Sequence, residues 1–259
     1  MLLAVDIGNT NVHVGVFKAD AVSVIFTLGA VANRTADEYA FLFKSILQER
    51  GVDICSLHGA VLGSVAPSVT PAVLTALREG LGLQTVVIGP GVKTGFPIRL
   101  DDPAELGADL VANAAGAIAA VGAPVIVADF GTATTVIAID GKGALQGGAI
   151  LSGVGMSLGA LNGAELLSGV SPYGAVTALG KNTPDCMRAG VVRGSAMAVT
   201  GFAENYKKTL KLPPDTPLLV CGGFGAQMLS YLPASVRYVP TLTLSGLAAI
   251  YKLNQKQEI

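Results

Sequence analysis

Two short stretches of this chain carry an acid in a setting suited to phosphate chemistry. Near the N-terminus the sequence reads DIGNTNVH, Asp6 to His13, and much further on it reads DFGTATT, Asp129 to Thr135. Each places an Asp at the end of an apolar run, then one apolar residue, then Gly and small polar residues. Glycine lets the chain turn tightly and lets a ligand approach without a Cβ in the way. Asn9, Thr10 and Asn11 in the first copy, and Thr132, Thr134 and Thr135 in the second, offer hydroxyl, amide and backbone N–H donors to phosphate oxygens. Asp6 and Asp129 suit the cations that accompany a polyphosphate. One such string alone reads as readily as a tight turn. Two, at matching places in two similar halves, read as paired phosphate hairpins facing each other across a cleft.

A third acid lies in DDPAELGADLVANAA. Asp102 as N-cap, Pro103 at the first helical position and Glu105 at the third predict a helix start. Beyond Glu105 the helix carries only Asp109 and Asn113 as polar side chains, four apart and so on one face. Phosphoryl transfer to a hydroxyl needs a group that takes its proton, and an acid on so apolar a helix is costly unless it faces a site. Asp109 is the candidate general base; the alternative is an Asp satisfied by a neighbouring Lys or backbone amide. His13 is expected as a strand residue facing solvent or phosphate rather than a metal ligand. Lys181 reads equally as a phosphate contact or an exposed loop lysine. CGGFG, Cys221 to Gly225, suits either a close approach to adenosine or a strand-to-helix turn that needs Gly. Competing nucleotide motifs fail: GAVTALGKNT lacks the Walker A spacing, and GVGMSLG has one residue too many for a dinucleotide fingerprint.

The elements that must hold these residues follow a repeated grammar. Alternating runs predict strands over 2–6, 12–17 and 22–28, an antiparallel meander. TADEYAFLFKSILQERG then predicts a helix capped by Thr35 with Glu38 three residues on and stopped at Gly51. GAVLGSV, SVTPAVLTALREGLG and TVVIG follow as strand, helix and strand. From Val125 the order restarts, with strands in PVIVADFG, TTVIAID and ALQGGAIL. Helical patterns follow around Met156 to Leu167 and Cys186 to Leu210, then the strand PLLVCGG, a short helix, VRYVP and a closing helix from about Thr243 to Asn254. The reading is α/β, one architecture used twice, each copy a mixed sheet flanked by helices. The expected domains are 1–118 and 119–259.

Composition narrows the partners. The chain has 259 residues, 51% of them apolar, and a net charge of −1, which argues against nucleic acid, since that partner calls for a clustered basic face. Leu110 to Ala128 is apolar, but its Gly, Pro and Asn punctuation favours a buried helix and strand over a membrane span. The start MLLAVDIG has no basic segment before its apolar run, so no signal peptide is expected, and the expected location is the cytoplasm. Cys55, Cys186 and Cys221, odd in number and without metal-ligand spacing, are expected as buried reduced thiols.

The paired hairpins resemble the actin, Hsp70 and sugar-kinase superfamily, with its ribonuclease H-like domains. The string DIGNTN, SVAPSVT, DDPAELGAD, DFGTATT, GGAILSG, ALGKNT, CGGFG and LTLSGLAAIY resembles the type III pantothenate kinases nearly end to end. That resemblance implies phosphorylation of pantothenate by ATP, the first step towards coenzyme A, by a homodimer that uses Mg²⁺ and a monovalent cation, K⁺ or NH₄⁺. By position it implies an ATP loop over Asp6, Ile7, Gly8, Asn9, Thr10, Asn11, Val12 and His13, with Thr132 a further ATP contact. It implies Asp109 as base within a pantothenate stretch Gly107, Ala108, Asp109 and Leu110, a further pantothenate contact at Thr183, and Asp129 as the K⁺ ligand. The sequence departs from the family's pattern in the acceptor half: Leu110 stands where Arg is usual, Leu100 where an aromatic is usual, Asp102 for Asn and Ser152 for Pro. These departures keep two other readings beside a pantothenate kinase with rearranged contacts: a nucleotide-binding regulatory paralogue, and a kinase for another small hydroxylated acceptor.

Overall fold

The computed structural model describes residues 1–163 and 169–255. The first meander forms as the alternation predicts: β1 (Leu2–Ile7), β2 (Asn11–Lys18) and β3 (Ala21–Gly29) are antiparallel neighbours. Helix α1 (Ala36–Glu49) follows, and its cap is reciprocal. The Thr35 hydroxyl accepts from the Glu38 N–H at 3.3 Å, while the Thr35 N–H donates to the Glu38 carboxylate at 2.7 Å. Strand β4 (Gly59–Ser64) runs parallel to β1, α2 (Thr70–Thr75) continues into a wider turn over Ala76–Gly80, and β5 (Thr85–Val87) runs parallel to β4. Helix α3 (Ala108–Val121) closes this half.

The second half repeats the plan with β6 (Val125–Phe130), β7 (Ala133–Ile139) and β8 (Leu145–Ser152) as an antiparallel meander. Helix α4 (Val154–Asn162) comes next; the expected extension of this helix to Leu167 falls partly on 164–168, outside the described residues. Helix α5 (Thr183–Arg188) runs through Ala189–Arg193 into α6 (Gly194–Thr209). Strand β9 (Leu218–Cys221), α7 (Gly225–Met228), β10 (Arg237–Tyr238) and α8 (Leu242–Asn254) complete the chain. The sheet orders are β3-β2-β1-β4-β5 and β10-β9-β6-β7-β8. Read from the meander outward the two are the same: three antiparallel strands, then two added in parallel to the first.

The compact units interleave along the chain. One comprises Met1–Phe96, Asp101–Ala119 and the segment from Thr241; the other comprises Pro97–Leu100 and the described residues of Ala120–Pro240. In the first, β1 is buried on both faces, as a central strand with parallel and antiparallel neighbours should be. Leu3, Val5 and Ile7 pack towards α1 and α2 with Tyr39, Phe43 and Leu47, whereas Leu2 and Ala4 pack towards α3 and α8 with Ala108, Ala112, Leu244 and Leu247. Asp6 follows the parity of Leu2 and Ala4 and so belongs to the α3 face.

Helices α3 and α8 meet closely through glycines. A Cβ on Gly246 would lie 1.7 Å from the Ala112 carbonyl oxygen, and one on Gly116 would lie 2.4 Å from that of Leu242. Asn113, only 1% exposed, accepts from the Thr243 hydroxyl at 2.7 Å across this seam. The apolar side of α3 is therefore covered by α8 and the first sheet of its own unit.

Two expectations are corrected here. Asp102 does cap a turn, its carboxylate accepting from the Ala104 N–H at 2.8 Å, but the turn is a single one over Pro103–Glu105. The chain is extended at Leu106 and the α-helix begins at Ala108, because Gly107 interrupts the helical run and restarts it. Cys55 and Cys186 are exposed and only Cys221 is buried, since the first lies in a short turn and the second on the outer side of α5.

Candidate active site

In the first unit the hairpin between β1 and β2 is held by its backbone. The Gly8 N–H donates to the Asn11 carbonyl at 2.9 Å, the Ala30 N–H to Thr10 at 2.9 Å, and the Val65 N–H to Ile7 at 2.9 Å. Ile7 and Val12 are fully buried and anchor the turn, while Asn9, Thr10 and Asn11 are exposed. The side chains of Ile7 and Val12 thus point into the core, leaving their backbone groups as the parts a ligand can meet. Gly8 does not need a left-handed backbone: an added Cβ would make a 3.4 Å contact with the Asn11 oxygen. His13 sits across from Asp6 in the β1–β2 register. It is half-buried, its Nδ1 is 3.1 Å from the Thr27 hydroxyl, and burial lowers its pKa, so it is a neutral strand residue at neutral pH.

Asp109 lies in the first turn of α3 at the same end of this sheet. Gly63, the β4 partner of Asp6, sits so close to α3 that a Cβ on it would lie 3.6 Å from that of Ala108. The loop after β4 is fastened beside it, with the Ser64 and Thr70 hydroxyls 2.6 Å apart and the Ala66 N–H donating to Ser64 at 3.1 Å. Asp109 Oδ1 accepts from the Leu110 N–H at 2.8 Å. Burial raises the pKa of this carboxyl above the ordinary carboxylate value, against the pull of hydrogen bonds from the Leu110 and Asp109 backbone. Such a group is a stronger proton acceptor than a solvated carboxylate, as a base in phosphoryl transfer should be. Leu110 beside it is half-buried and apolar.

In the second unit the β6–β7 hairpin is one residue shorter but fastened in the same way, with the Gly131 N–H donating to the Ala133 carbonyl at 3.1 Å. Asp129 and Thr135 are register partners, as Asp6 and His13 are. Thr132 is exposed at the turn and Thr135 half-buried. Thr134, expected among the phosphate donors, is only 1% exposed and faces the core, because strand alternation sends it inward with Val136 and Ala138. Two glycines frame this hairpin. A Cβ on Gly153 would lie 2.1 Å from the Thr132 carbonyl, and one on Gly222 would lie 2.3 Å from Asp129 Oδ1. Gly222 has φ +88°, so of the two readings of CGGFG the strand-to-helix turn is the one its backbone requires. Thr183 is exposed at the first position of α5, where Asn182 caps the helix by accepting from the Asp185 N–H at 2.9 Å. Lys181 is exposed, and Leu100 packs near Gly147.

A sheet of this order, used twice, with a glycine hairpin after the first strand of each copy, is the actin and sugar-kinase architecture. Component A of (R)-2-hydroxyglutaryl-CoA dehydratase from Acidaminococcus fermentans shares it. The TM-score is 0.58 at 14% identity, over 96% of this chain and 96% of that one.

Within that class the sequence identifies the family. A profile of the type III pantothenate kinases matches residues 2–205. The type III pantothenate kinase of Moorella thermoacetica is 37% identical over 98% of this chain and 100% of its own length. That of Shouchella clausii is 36% identical over 98% and 100%. The chain belongs to the type III pantothenate kinase family. It is a kinase, and ATP-dependent phosphorylation of pantothenate in coenzyme A biosynthesis is the activity that membership carries.

Proposed function

We propose that this chain phosphorylates the primary hydroxyl of pantothenate with Asp109 as general base. The observation behind this is the setting of Asp109: a carboxylate at the start of α3, its pKa raised by burial, on the face of the first sheet to which Asp6 belongs. In this reading the loop from Asp6 to His13 holds the ATP phosphates, mainly through backbone N–H groups and the exposed Asn9, Thr10 and Asn11, and Thr132 makes a further contact. Gly107 to Leu110 and Thr183 meet pantothenate.

Asp6 is the carboxylate assigned to Mg²⁺, which in such sites rests mostly on nucleotide phosphates and water. Asp129 is assigned to K⁺ or NH₄⁺. Space for a large cation is consistent with Gly222, where a Cβ would crowd the Asp129 carboxylate. When bound, the divalent ion neutralises charge on the phosphate oxygens. The protein's own part is to orient the acceptor and take its proton. The homodimer belongs to the proposal as well, supported by the exposed Ile150, Met156 and Met197 on β8, α4 and α6. So does a cytoplasmic location; no helix among the described residues is long and apolar enough to cross a membrane.

The test is product formation by the purified chain with ATP, Mg²⁺ and pantothenate, in K⁺ and then in Na⁺, with the oligomeric state measured alongside. Phosphorylated pantothenate formed in K⁺ and much less in Na⁺ supports the reading. ATP binding without turnover on pantothenate contradicts it, and turnover on another small hydroxylated acceptor would trace the difference to Leu110 and Leu100.

A further inference from the structure

The start of α3 is capped in reverse. Gly107 is its N-cap: its carbonyl accepts the first intrahelical bond, from the Val111 N–H at 3.1 Å. An N-cap side chain ordinarily accepts from one of the next two or three N–H groups, which have no partner within the helix. Gly107 has no side chain, and Asp109, two residues on, does this work instead through its Oδ1, which accepts from the Leu110 N–H at 2.8 Å.

The oxygen that caps the helix also fills the space a side chain at 107 would take. A Cβ on Gly107 would lie 2.5 Å from Asp109 Oδ1, 3.6 Å from its Cγ and 3.4 Å from Val65 Cγ1. The three nearest atoms that a methyl group would meet are therefore side-chain atoms, and Gly107 is not among the residues with positive φ. The backbone conformation does not demand glycine here. The carboxylate of Asp109 does.

We propose that Gly107 is a positioning residue for the base. Its missing Cβ lets Asp109 Oδ1 dock on the Leu110 N–H, which fixes the carboxylate and leaves Oδ2 as the oxygen that receives the acceptor's proton. In the step served, the hydroxyl proton passes to Oδ2, the hydroxyl oxygen forms its bond to the γ-phosphorus, and the bond from that phosphorus to ADP breaks. The inference rests on the reading of Asp109 as base and adds to it which oxygen reacts and what holds it.

The experiment compares Gly107→Ala, Gly107→Ser, Asp109→Asn and the double variant Gly107→Ala/Asp109→Asn in steady-state kinetics and thermal unfolding. A displacement of about an ångström at a catalytic group costs roughly 10²-fold in rate. Gly107→Ala is expected to lose about that much kcat with its KM for ATP kept, and to melt a few degrees lower, as a helix that has lost its cap does. Gly107→Ser, whose hydroxyl can take over the cap, is expected to melt no lower than wild type and still lose kcat. Adding Gly107→Ala to Asp109→Asn is expected to cost no further kcat, since the carboxylate it would displace is already gone. Wild-type kcat in Gly107→Ala overturns the inference, as does loss of folding in that variant. A further loss of kcat on adding Gly107→Ala to Asp109→Asn overturns it too, since Gly107 would then act on the reaction other than through the base. If Asp109→Asn keeps wild-type turnover, the base assignment fails first, and that result is distinct from the others.

Discussion

Adding one methyl group at Gly246 should separate the helix pair that carries the base. The new Cβ would sit 1.7 Å from the Ala112 carbonyl oxygen and 2.8 Å from the Gly116 nitrogen, all backbone atoms of α3. A tolerable C···O contact is about 3.3 Å, so α8 must move off α3 by roughly 1.6 Å. No rotamer change relieves the clash, because neither partner is a side chain. Overpacking of this kind costs about 1–3 kcal/mol, and the upper end is expected because the Asn113–Thr243 hydrogen bond crosses the same seam. For a domain of 150–250 residues each kcal/mol is worth roughly 2–4 °C, so Gly246→Ala should lower the melting temperature by about 5–12 °C. Because Asp109 rides on α3, kcat should fall as well. Gly201→Ala in α6 is the control: its Cβ would meet nothing within 4 Å, and replacing a glycine within a helix with Ala should stabilise by about 0.5–1 kcal/mol. Differential scanning calorimetry on both variants decides the matter. A Gly246→Ala protein that melts at or above wild type would refute the close α3–α8 crossing.

Three further outcomes are expected. The folded-state pKa of Asp109 is raised by burial, so stability is lost as pH rises from the ordinary carboxylate range through the raised value, and the cost is fully present above that value. Asp109→Asn should therefore be more stable than wild type to urea at neutral pH, with an advantage that shrinks as pH falls through the same window. The acid limb of wild-type kcat should likewise lie above the ordinary carboxylate range. Thr35→Ala removes the hydroxyl arm of the α1 cap, leaving the backbone N–H at 35 on the Glu38 carboxylate, and should cost about 0.5–2 kcal/mol in urea melts while leaving kcat unchanged. Asp129→Asn should weaken the preference for K⁺ over Na⁺ in turnover while leaving the far-ultraviolet circular dichroism unchanged.

Much of the fold was legible because alternation and capping are local signals. The six meander strands, the Thr35–Glu38 box and the doubled order could all be read from the chain. What could not be read depends on contacts distant in sequence. The closing helix packs on the first sheet, and only the spacing of Gly116 against Gly246 hints at it. The start of α3 was placed too early because Asp102, Pro103 and Glu105 are real helix-start signals that serve one isolated turn. Thr134 sits among exposed-looking threonines, yet strand parity turns it inward. In the candidate site the three acids could be picked out by type and position. The glycines beside them could be named, Gly107 in the stretch that the resemblance assigns to pantothenate and Gly222 within CGGFG, but that each stands against a carboxylate could not be read, since a vacancy for a side chain leaves no mark on a one-dimensional pattern.

The most direct test of the central claim is the rate at which Asp109→Asn phosphorylates pantothenate at saturating ATP and acceptor, with ATP binding confirmed on the same sample. General base catalysis contributes about 10²–10⁴-fold, so a loss of that order with nucleotide affinity retained is the predicted result. Turnover within a few-fold of wild type would contradict the assignment and require another residue to take the proton.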